Sequence, residues 1–418
     1  MPRADVVVIG AGLAGLSCAA ELAERGARVL LAAKGMATTH WTHGGLDVAG
    51  IPGAATPRAG VEALRSNTLH PYAKLASDVG PAVAAHLRRT DAEGLPHAGD
   101  LDASLRPMPT AIGTLRPAAI VPAAQAPALA PWNGDGLLLV GIEHYRDAWA
   151  PWAARNLASA LWPDGAPREV RGITVDLPWL DRLHNLNATV LARLFDDPVW
   201  RERTLGAIAQ AVPAGSWRIG LPAALGLERH REVHADAEAA LGHPCFEVPS
   251  LPPSVPGMRL FEALRRRIIG AGGRIHLGFE VVQVERDEQR VHAIHTHAGA
   301  RTLRLLGDAF VLATGGLAGT GFRGRRDGTV EERIFGLHVT APPHRAWFSD
   351  DPLQPHPLEA AGIETDDALR PPELENVRVI GSALAGMHYL SERCGDGVAL
   401  ASAYRVAAEL GGTARAAA

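Results

Sequence analysis

Asp5-Val-Val-Val-Ile-Gly10-Ala-Gly12-Leu-Ala-Gly15 sets a β-branched run directly before Gly-x-Gly-x-x-Gly, and Leu16–Arg25 continues with the Ala and Leu spacing of a packed helix. Strand, tight turn and helix in that order is the context in which such glycines bind phosphate. Gly10 makes the turn, Gly12 lets a phosphate approach the backbone, and Gly15 lets helix and strand close up. The amides of Ala11, Leu13 and Ala14 lie in the same turn, at a helix N-terminus whose free N–H groups and dipole favour an anion. Gly26-Ala-Arg-Val29-Leu-Leu31 then reads as a second parallel strand, completing a βαβ start.

The end of that second strand lacks an expected group. An Asp or Glu about 20 residues after the glycines normally binds the adenosine ribose, and here Ala32-Ala33-Lys34 stands in its place. Methyl groups accept no hydrogen bond, whereas Lys34 favours a phosphate. Three ligands fit: FMN with its phosphate on the glycine turn, FAD held by other contacts, or NADP with Lys34 on its 2′-phosphate. Of the two flavins, the missing acid favours FMN.

Beyond this start, Thr38-Thr39-His40-Trp41-Thr42-His43-Gly44-Gly45-Leu46-Asp47 reads as a loop. Helical patterns follow at Val61–Arg65 and Pro81–Arg89, and the Pro- and Ala-rich stretch Pro117–Pro131 reads as an extended connector. Leu137–Val140, Ile173–Val175 and Trp217–Leu221 are buried-strand runs, with helices at Trp149–Leu161 and at Thr189–Ala211, the latter interrupted near Pro198. Leu260–Ile269 is helical, and Arg274–Leu277, Val281–Glu285, Val291–Thr296 and Leu303–Leu306 alternate like a meander. Phe310-Val-Leu-Ala313-Thr314-Gly315-Gly316 repeats the strand-to-glycine turn, Val377–Ile380 leads into Gly381-Ser382, and Cys394-Gly395-Asp-Gly397-Val398 opens a last helix. Glycine turns at both ends of the chain predict one discontinuous nucleotide domain, with the middle inserted.

Composition narrows the function classes. Of 418 residues, 47% are hydrophobic and 21% charged, which excludes wholesale disorder. Lys plus Arg number 41 against 45 Asp plus Glu, so no general basic field points to nucleic acid. Cys18, Cys245 and Cys394 are far apart, which excludes an iron–sulfur cluster or zinc site made of this chain's thiols and suggests a reducing compartment. No uninterrupted apolar run is long enough to span a bilayer. His292, His295 and His297 read as a wet strand face, because only two of them share a side and no acid adjoins them. No metal site is expected. Arg323-Gly-Arg325-Arg326 reads as a surface turn.

Gly10–Gly15, Ala313–Gly316 and the stretch from Asn376 through Gly397 together resemble two-domain flavoproteins of the fumarate reductase type. Several further strings resemble the family of B subunits of anaerobic glycerol-3-phosphate dehydrogenase: His70-Pro71-Tyr72, Gly113-Thr114-Leu115-Arg116, Leu251-Pro-Pro-Ser-Val255 with Gly257 and Arg259, Thr365-Asp366 with Leu369-Arg370-Pro371, and Ile380-Gly381-Ser382. The implied fold is α/β: a Rossmann-like flavin-binding domain of three-layer type over 1–75, 252–340 and 360–418, with an inserted α/β substrate or partner domain over 76–251. The resemblance implies an FMN-linked oxidoreductase subunit working with a related FAD-containing dehydrogenase subunit and a membrane-anchoring iron–sulfur subunit. The complex would oxidise sn-glycerol 3-phosphate to dihydroxyacetone phosphate and reduce quinone, at the cytoplasmic face of the membrane. Flavin-binding positions carried over are Gly44, Gly45, Thr314, Gly315, Gly381, Ser382, Gly395, Gly397 and Val398. Ser382 stands where such flavoproteins usually have an acid, and no covalent flavin bond is carried over to His40. His40 is the preferred base for the substrate hydroxyl, with His43 second; Arg116, Arg259 and Arg370 are the cations for its phosphate. The alternatives are a non-catalytic assembly subunit and an unrelated flavin or NADP oxidoreductase.

Overall fold

A computed structural model describes residues 3–162, 165, 168–181, 185–299 and 301–416. Two compact units divide the chain: Met1–Thr39, Asp47–Glu93 and Phe261–Ala418 form the first, and His40–Leu46 with Gly94–Leu260 the second.

The first unit is built on a seven-stranded sheet. Strand Arg3–Ile9 lies between Val29–Ala33 and Arg301–Leu312, parallel to both. Val6–Ile9 and Val29–Ala33 are buried on both faces, which is why they read as continuous apolar runs rather than alternating ones. Arg274–Leu277 adds to the far side of Val29–Ala33, in parallel, and Val377–Val379 joins Arg301–Leu312 in parallel. Only Glu280–Arg286, Val291–Ala298 and the first half of Arg301–Leu312 form an antiparallel meander. The expected four-strand meander is therefore corrected: Arg274–Leu277 belongs to the parallel layer, and Leu303–Leu306 and Phe310–Leu312 are one strand.

The expected domain limits shift for a packing reason. Tyr72–Ala92 is a single helix with Pro81 inside it, so a boundary after residue 75 would cut it. Its Arg89 pairs with Glu21 and Glu24 of helix Leu13–Glu24, and its Asp78 pairs with Arg405 of the last helix, Gly395–Ala416, at 2.6 Å. These contacts hold the helix to the first unit despite the hydrogen bond that proline removes. Residues 341–359, left outside both expected domains, belong to the first unit, and His40–Leu46, expected in the flavin domain, belongs to the second.

The second unit has a four-stranded parallel sheet in the order Cys245–Val248, Trp217–Pro222, Gly136–Ile142, Val170–Val175. Helices Ala150–Ala158, Ala188–Asp196, Pro198–Ala211 and His230–Leu241 accompany it. Leu191, Phe195, Leu205, Ile208 and Val233 pack with Leu138, Ile219 and Tyr145 in one apolar cluster. The expected connector 117–131 is structured instead. It holds strand Leu115–Ala118, paired to Arg106–Pro109, and short helical turns at Ala123–Gln125 and Ala126–Leu129. Gln125, fully buried, donates from Nε2 to the His43 carbonyl at 2.7 Å.

Candidate cofactor site

The three glycines of the first turn have three different surroundings. Gly10 has φ +116°, and a Cβ there would lie 2.2 Å from the Ala313 carbonyl oxygen. A Cβ on Gly15 would lie 2.1 Å from the Gly10 carbonyl oxygen. Both positions must be glycine for the backbone to close on itself. Gly12 differs: it is the N-cap of helix Leu13–Glu24, with φ −73° and no side-chain cap. A Cβ on Gly12 would meet nothing nearer than Ala37 Cβ at 3.8 Å. The fold does not need glycine here, and the space beside an uncapped helix N-terminus suits a phosphate.

The end of strand Arg301–Leu312 closes against this turn, with the Ala313 amide donating to the Ile9 carbonyl at 2.9 Å. Gly315 has φ +76° and Gly381 φ +67°. A Cβ on Gly381 would lie 2.8 Å from Ala14 Cβ, so this glycine sits on the first turn of the helix. Ser382 Oγ accepts from the Gly316 amide at 3.2 Å and thereby ties the two glycine turns together. Thr314 Oγ1 is buried there without a hydrogen-bond partner among the described residues. A buried hydroxyl without a partner is costly, and a ligand carrying donors or acceptors satisfies it. Open space at Gly12, bare helix amides and this hydroxyl fit the diphosphate of a flavin nucleotide.

The start of the last helix is arranged otherwise than expected. The amides of Asp396 and Gly397 donate to the Asp47 carbonyl at 3.0 and 3.2 Å, and Asp396 Oδ2 accepts from the Asp47 amide at 2.9 Å. Gly397 is required by a neighbour, since a Cβ would lie 2.0 Å from the Tyr72 hydroxyl. Val398 is fully buried, with its amide on the Cys394 carbonyl. Gly397 and Val398 as ligand-facing positions are corrected on these grounds: the carbonyl of residue 47 fills the helix end. Of the group carried over, Gly395 has open surroundings, with Tyr389 Cβ nearest to a notional Cβ at 3.9 Å.

Gly44 and Gly45 belong to the second unit. A Cβ on Gly44 would lie 2.8 Å from Pro256 Cβ, and one on Gly45 2.5 Å from His43 Cε1, so packing within that unit accounts for both. The Gly45 amide donates to His43 Nδ1 at 3.0 Å, which gives that nitrogen a structural task and weakens His43 as a base. His40 lies in the short helical turn Thr38–Trp41 and is buried. Burial lowers its pKa below the ordinary histidine value, so the ring is neutral at pH 7 and able to take a proton.

The three arginines separate. Arg259 is corrected as a phosphate ligand. It is only 4% exposed, and its guanidinium reaches Glu247 Oε1 and Oε2 at 2.9 and 2.8 Å, the Leu225 carbonyl at 3.1 Å and, from Nε, the Gly226 carbonyl at 2.9 Å. Every nitrogen is in use. Burial pushes the Glu247 carboxyl up, but the Arg259 charge, its hydrogen bonds and the Leu225 amide outweigh that and hold it below the ordinary glutamate range. The pair adjoins a cleft of about 260 Å³ in the second unit that His230 and Arg231 also line; Arg231, which carries no motif in the sequence, is exposed there. Arg116 lies half-buried in the hairpin, opposite Met108. Arg370, in the first unit, keeps 48% of its side chain exposed, with Nε 2.8 Å from Asp366 Oδ2.

The histidine strand is a set of surface pairs. His292 meets Asp287 at 3.0 Å, and His295 shares Glu285 with Arg304. Arg325 pairs with Glu331 across the hairpin of Phe322–Gly324 and Val330–Glu332. His70, Glu392 and Cys394 do converge. However, His70 Nδ1 accepts from the Tyr72 amide at 3.0 Å, which leaves the ring proton on Nε2, facing Glu392 at 3.4 Å. In that tautomer the His70 ring has no lone pair left for a metal. All three cysteines are buried, and burial pushes the thiols up, Cys245 to about 12. Among the described residues no helix is long and apolar enough to cross a membrane.

Residues 5–398 match the FAD binding domain family. A Yersinia pestis protein named as the B subunit of anaerobic glycerol-3-phosphate dehydrogenase is 31% identical over 97% of this chain and 97% of its own. A Pectobacterium atrosepticum protein of the same name is 32% identical, with 98% of each chain covered. The chain belongs to the family of anaerobic glycerol-3-phosphate dehydrogenase B subunits. A Halobacterium salinarum protein, named as a probable B subunit of that enzyme, is 34% identical over 96% of each chain. Among solved structures, a chain of the E. coli quinol fumarate reductase has a TM-score of 0.46 at 10% identity, covering 100% of this chain and 72% of that one. For this member of the B-subunit family, the preference for FMN read from Ala32-Ala33-Lys34 finds no support, because the matched domain is an FAD domain. The NADP reading of Lys34 loses its basis too, since its ammonium lies 2.9 Å from Glu280.

Proposed function

We propose that this chain is an FAD-binding subunit of a multi-subunit dehydrogenase that oxidises sn-glycerol 3-phosphate to dihydroxyacetone phosphate and passes the electrons toward quinone. The observation that carries the reading is the open Gly12 turn, an uncapped helix N-terminus beside a buried hydroxyl with no partner, in a chain that matches its relatives from end to end. FAD, when bound, supplies the hydride acceptor. The amides from Ala11 to Gly15, with Thr314 and Gly315, hold its diphosphate. Neutral His40 takes the hydroxyl proton on an imidazole nitrogen, and Arg116 and Arg370 are the cations for the substrate phosphate. The three cysteines are single, buried and remote from one another in sequence, so electrons leave through a partner. That role suits a second, FAD-bearing dehydrogenase subunit and an iron–sulfur subunit holding the complex to the inner membrane face.

A specific observation favours a second reading, a non-catalytic assembly subunit: Arg259, the most buried of the three arginines proposed for substrate, is spent on Glu247. Steady-state kinetics of the co-expressed complex separates the two. For a catalytic subunit, His40→Gln should lower kcat about 10²–10⁴-fold at unchanged FAD content. The acid limb of kcat/KM should fall below the ordinary histidine pKa of about 6.5, since burial lowers that of His40. Arg370→Ala should raise KM roughly 10- to 150-fold with little loss of stability, because its pair with Asp366 is exposed. Wild-type kinetics in both variants would assign the chemistry to a partner.

A further inference from the structure

We propose that Glu280 accepts the hydrogen bond of the adenosine ribose of FAD, the role that Ala33 cannot fill; this rests on the reading that the chain binds FAD. In open parallel sheets, nucleotides lie beyond the carboxyl ends of the strands, and the ribose acid belongs at the end of the second strand. That strand, Val29–Ala33, ends here in two buried alanines. Its outer neighbour, Arg274–Leu277, runs parallel to it and places Leu277 beside Ala33. The chain then turns at Gly278, whose φ is +83°, and the Phe279 amide donates to the Ala33 carbonyl at 2.9 Å. Glu280 follows at once, at the carboxyl end of Val29–Ala33. Its Oε1 lies 2.9 Å from Lys34 Nζ. A carboxylate thus reaches the vacant ribose position from a strand 246 residues further along the chain.

The pair is poor as a stability device, since the side chains are 65% and 42% exposed and such pairs contribute little. It is well arranged as a ligand. Lys34 engages one oxygen and fixes the carboxylate, Oε2 has no hydrogen bond among the described residues, and the ammonium offsets a charge that would otherwise repel the cofactor diphosphate. Glu280 also repels a 2′-phosphate, which disfavours NADP.

The test is flavin-fluorescence quenching on the full chain stripped of flavin, titrated separately with FAD and FMN. For Glu280→Ala we expect FAD to bind roughly 10- to 100-fold more weakly, FMN to bind as in the wild type because it has no adenosine, and the melting temperature to be unchanged. Glu280→Gln, whose amide oxygen still accepts, should lose less. Unchanged FAD affinity in Glu280→Ala, or equal weakening of FAD and FMN, overturns the inference alone. A wild-type chain that binds FMN but not FAD overturns it together with the FAD reading.

Discussion

Gly12→Asp should purify folded and colourless. The Gly12 backbone, at φ −73°, is one that any L-residue adopts, and the nearest atom to an added Cβ is Ala37 Cβ at 3.8 Å. The substitution therefore disturbs no packing, and an Asp at an N-cap favours the helix. What it adds is a carboxylate where the cofactor diphosphate belongs. Juxtaposed like charges cost several kcal/mol, so flavin affinity should fall at least about 100-fold. Circular dichroism and melting should stay close to the wild type, while the flavin absorption of the purified protein disappears. Gly10→Ala and Gly15→Ala should do the opposite, losing the fold itself, because their Cβ atoms would lie 2.2 and 2.1 Å from backbone oxygens. A folded, fully yellow Gly12→Asp protein would remove the glycine turn from the cofactor site.

Arg259→Ala should act on stability and not on substrate binding. It leaves Glu247, itself without exposure, as a buried charge whose remaining hydrogen bond among the described residues is from the Leu225 amide, at 3.0 Å. Breaking a buried pair in this way costs ~3–5 kcal/mol, and chemical denaturation of the second unit should show it. Pairing Arg259→Met with Glu247→Leu should recover much of the loss, since apolar residues of similar volume often replace buried pairs without cost. The pH dependence has a definite sign. In the wild type the Glu247 pKa is depressed, so its contribution is present above the ordinary glutamate pKa of about 4.3 and is lost as pH falls through the folded-state value. Without Arg259, burial is left opposed mainly by one amide and raises the pKa, so the gap between variant and wild type should narrow as pH falls. A variant as stable as the wild type, with a raised KM for glycerol 3-phosphate, would restore Arg259 to the substrate.

The parts of the molecule legible in the sequence were those whose signals are local. Gly10–Gly15 lies within one strand–turn–helix, where backbone closure requires Gly10 and Gly15 and leaves open space at Gly12. The break at Pro198 divides Ala188–Asp196 from Pro198–Ala211, because Asp197 caps the second helix by accepting from the Val199 and Trp200 amides. Features that depend on distant pairing were not legible. Nothing near Ala33 announces that residues 274–280 come to lie beside it, so the missing acid read as a preference for FMN. Arg259 stands among glycine and proline as a binding-loop arginine does, yet it lies in helix Val255–Gly270. A hint was present in Cys245-Phe-Glu247-Val248, since a glutamate inside a short apolar strand needs a buried cation nearby. The closure of the last helix by Asp47 had no such hint, because a backbone carbonyl has no signature in sequence.

The ligand of the glycine turn is the point on which the function rests. The most direct measurement is the mass and amount of the compound released by acid from the purified full chain. FAD at about one per chain is the predicted result, in line with an open Gly12 turn and a carboxylate at the ribose position. FMN at that stoichiometry, or no flavin in a folded protein, would contradict it.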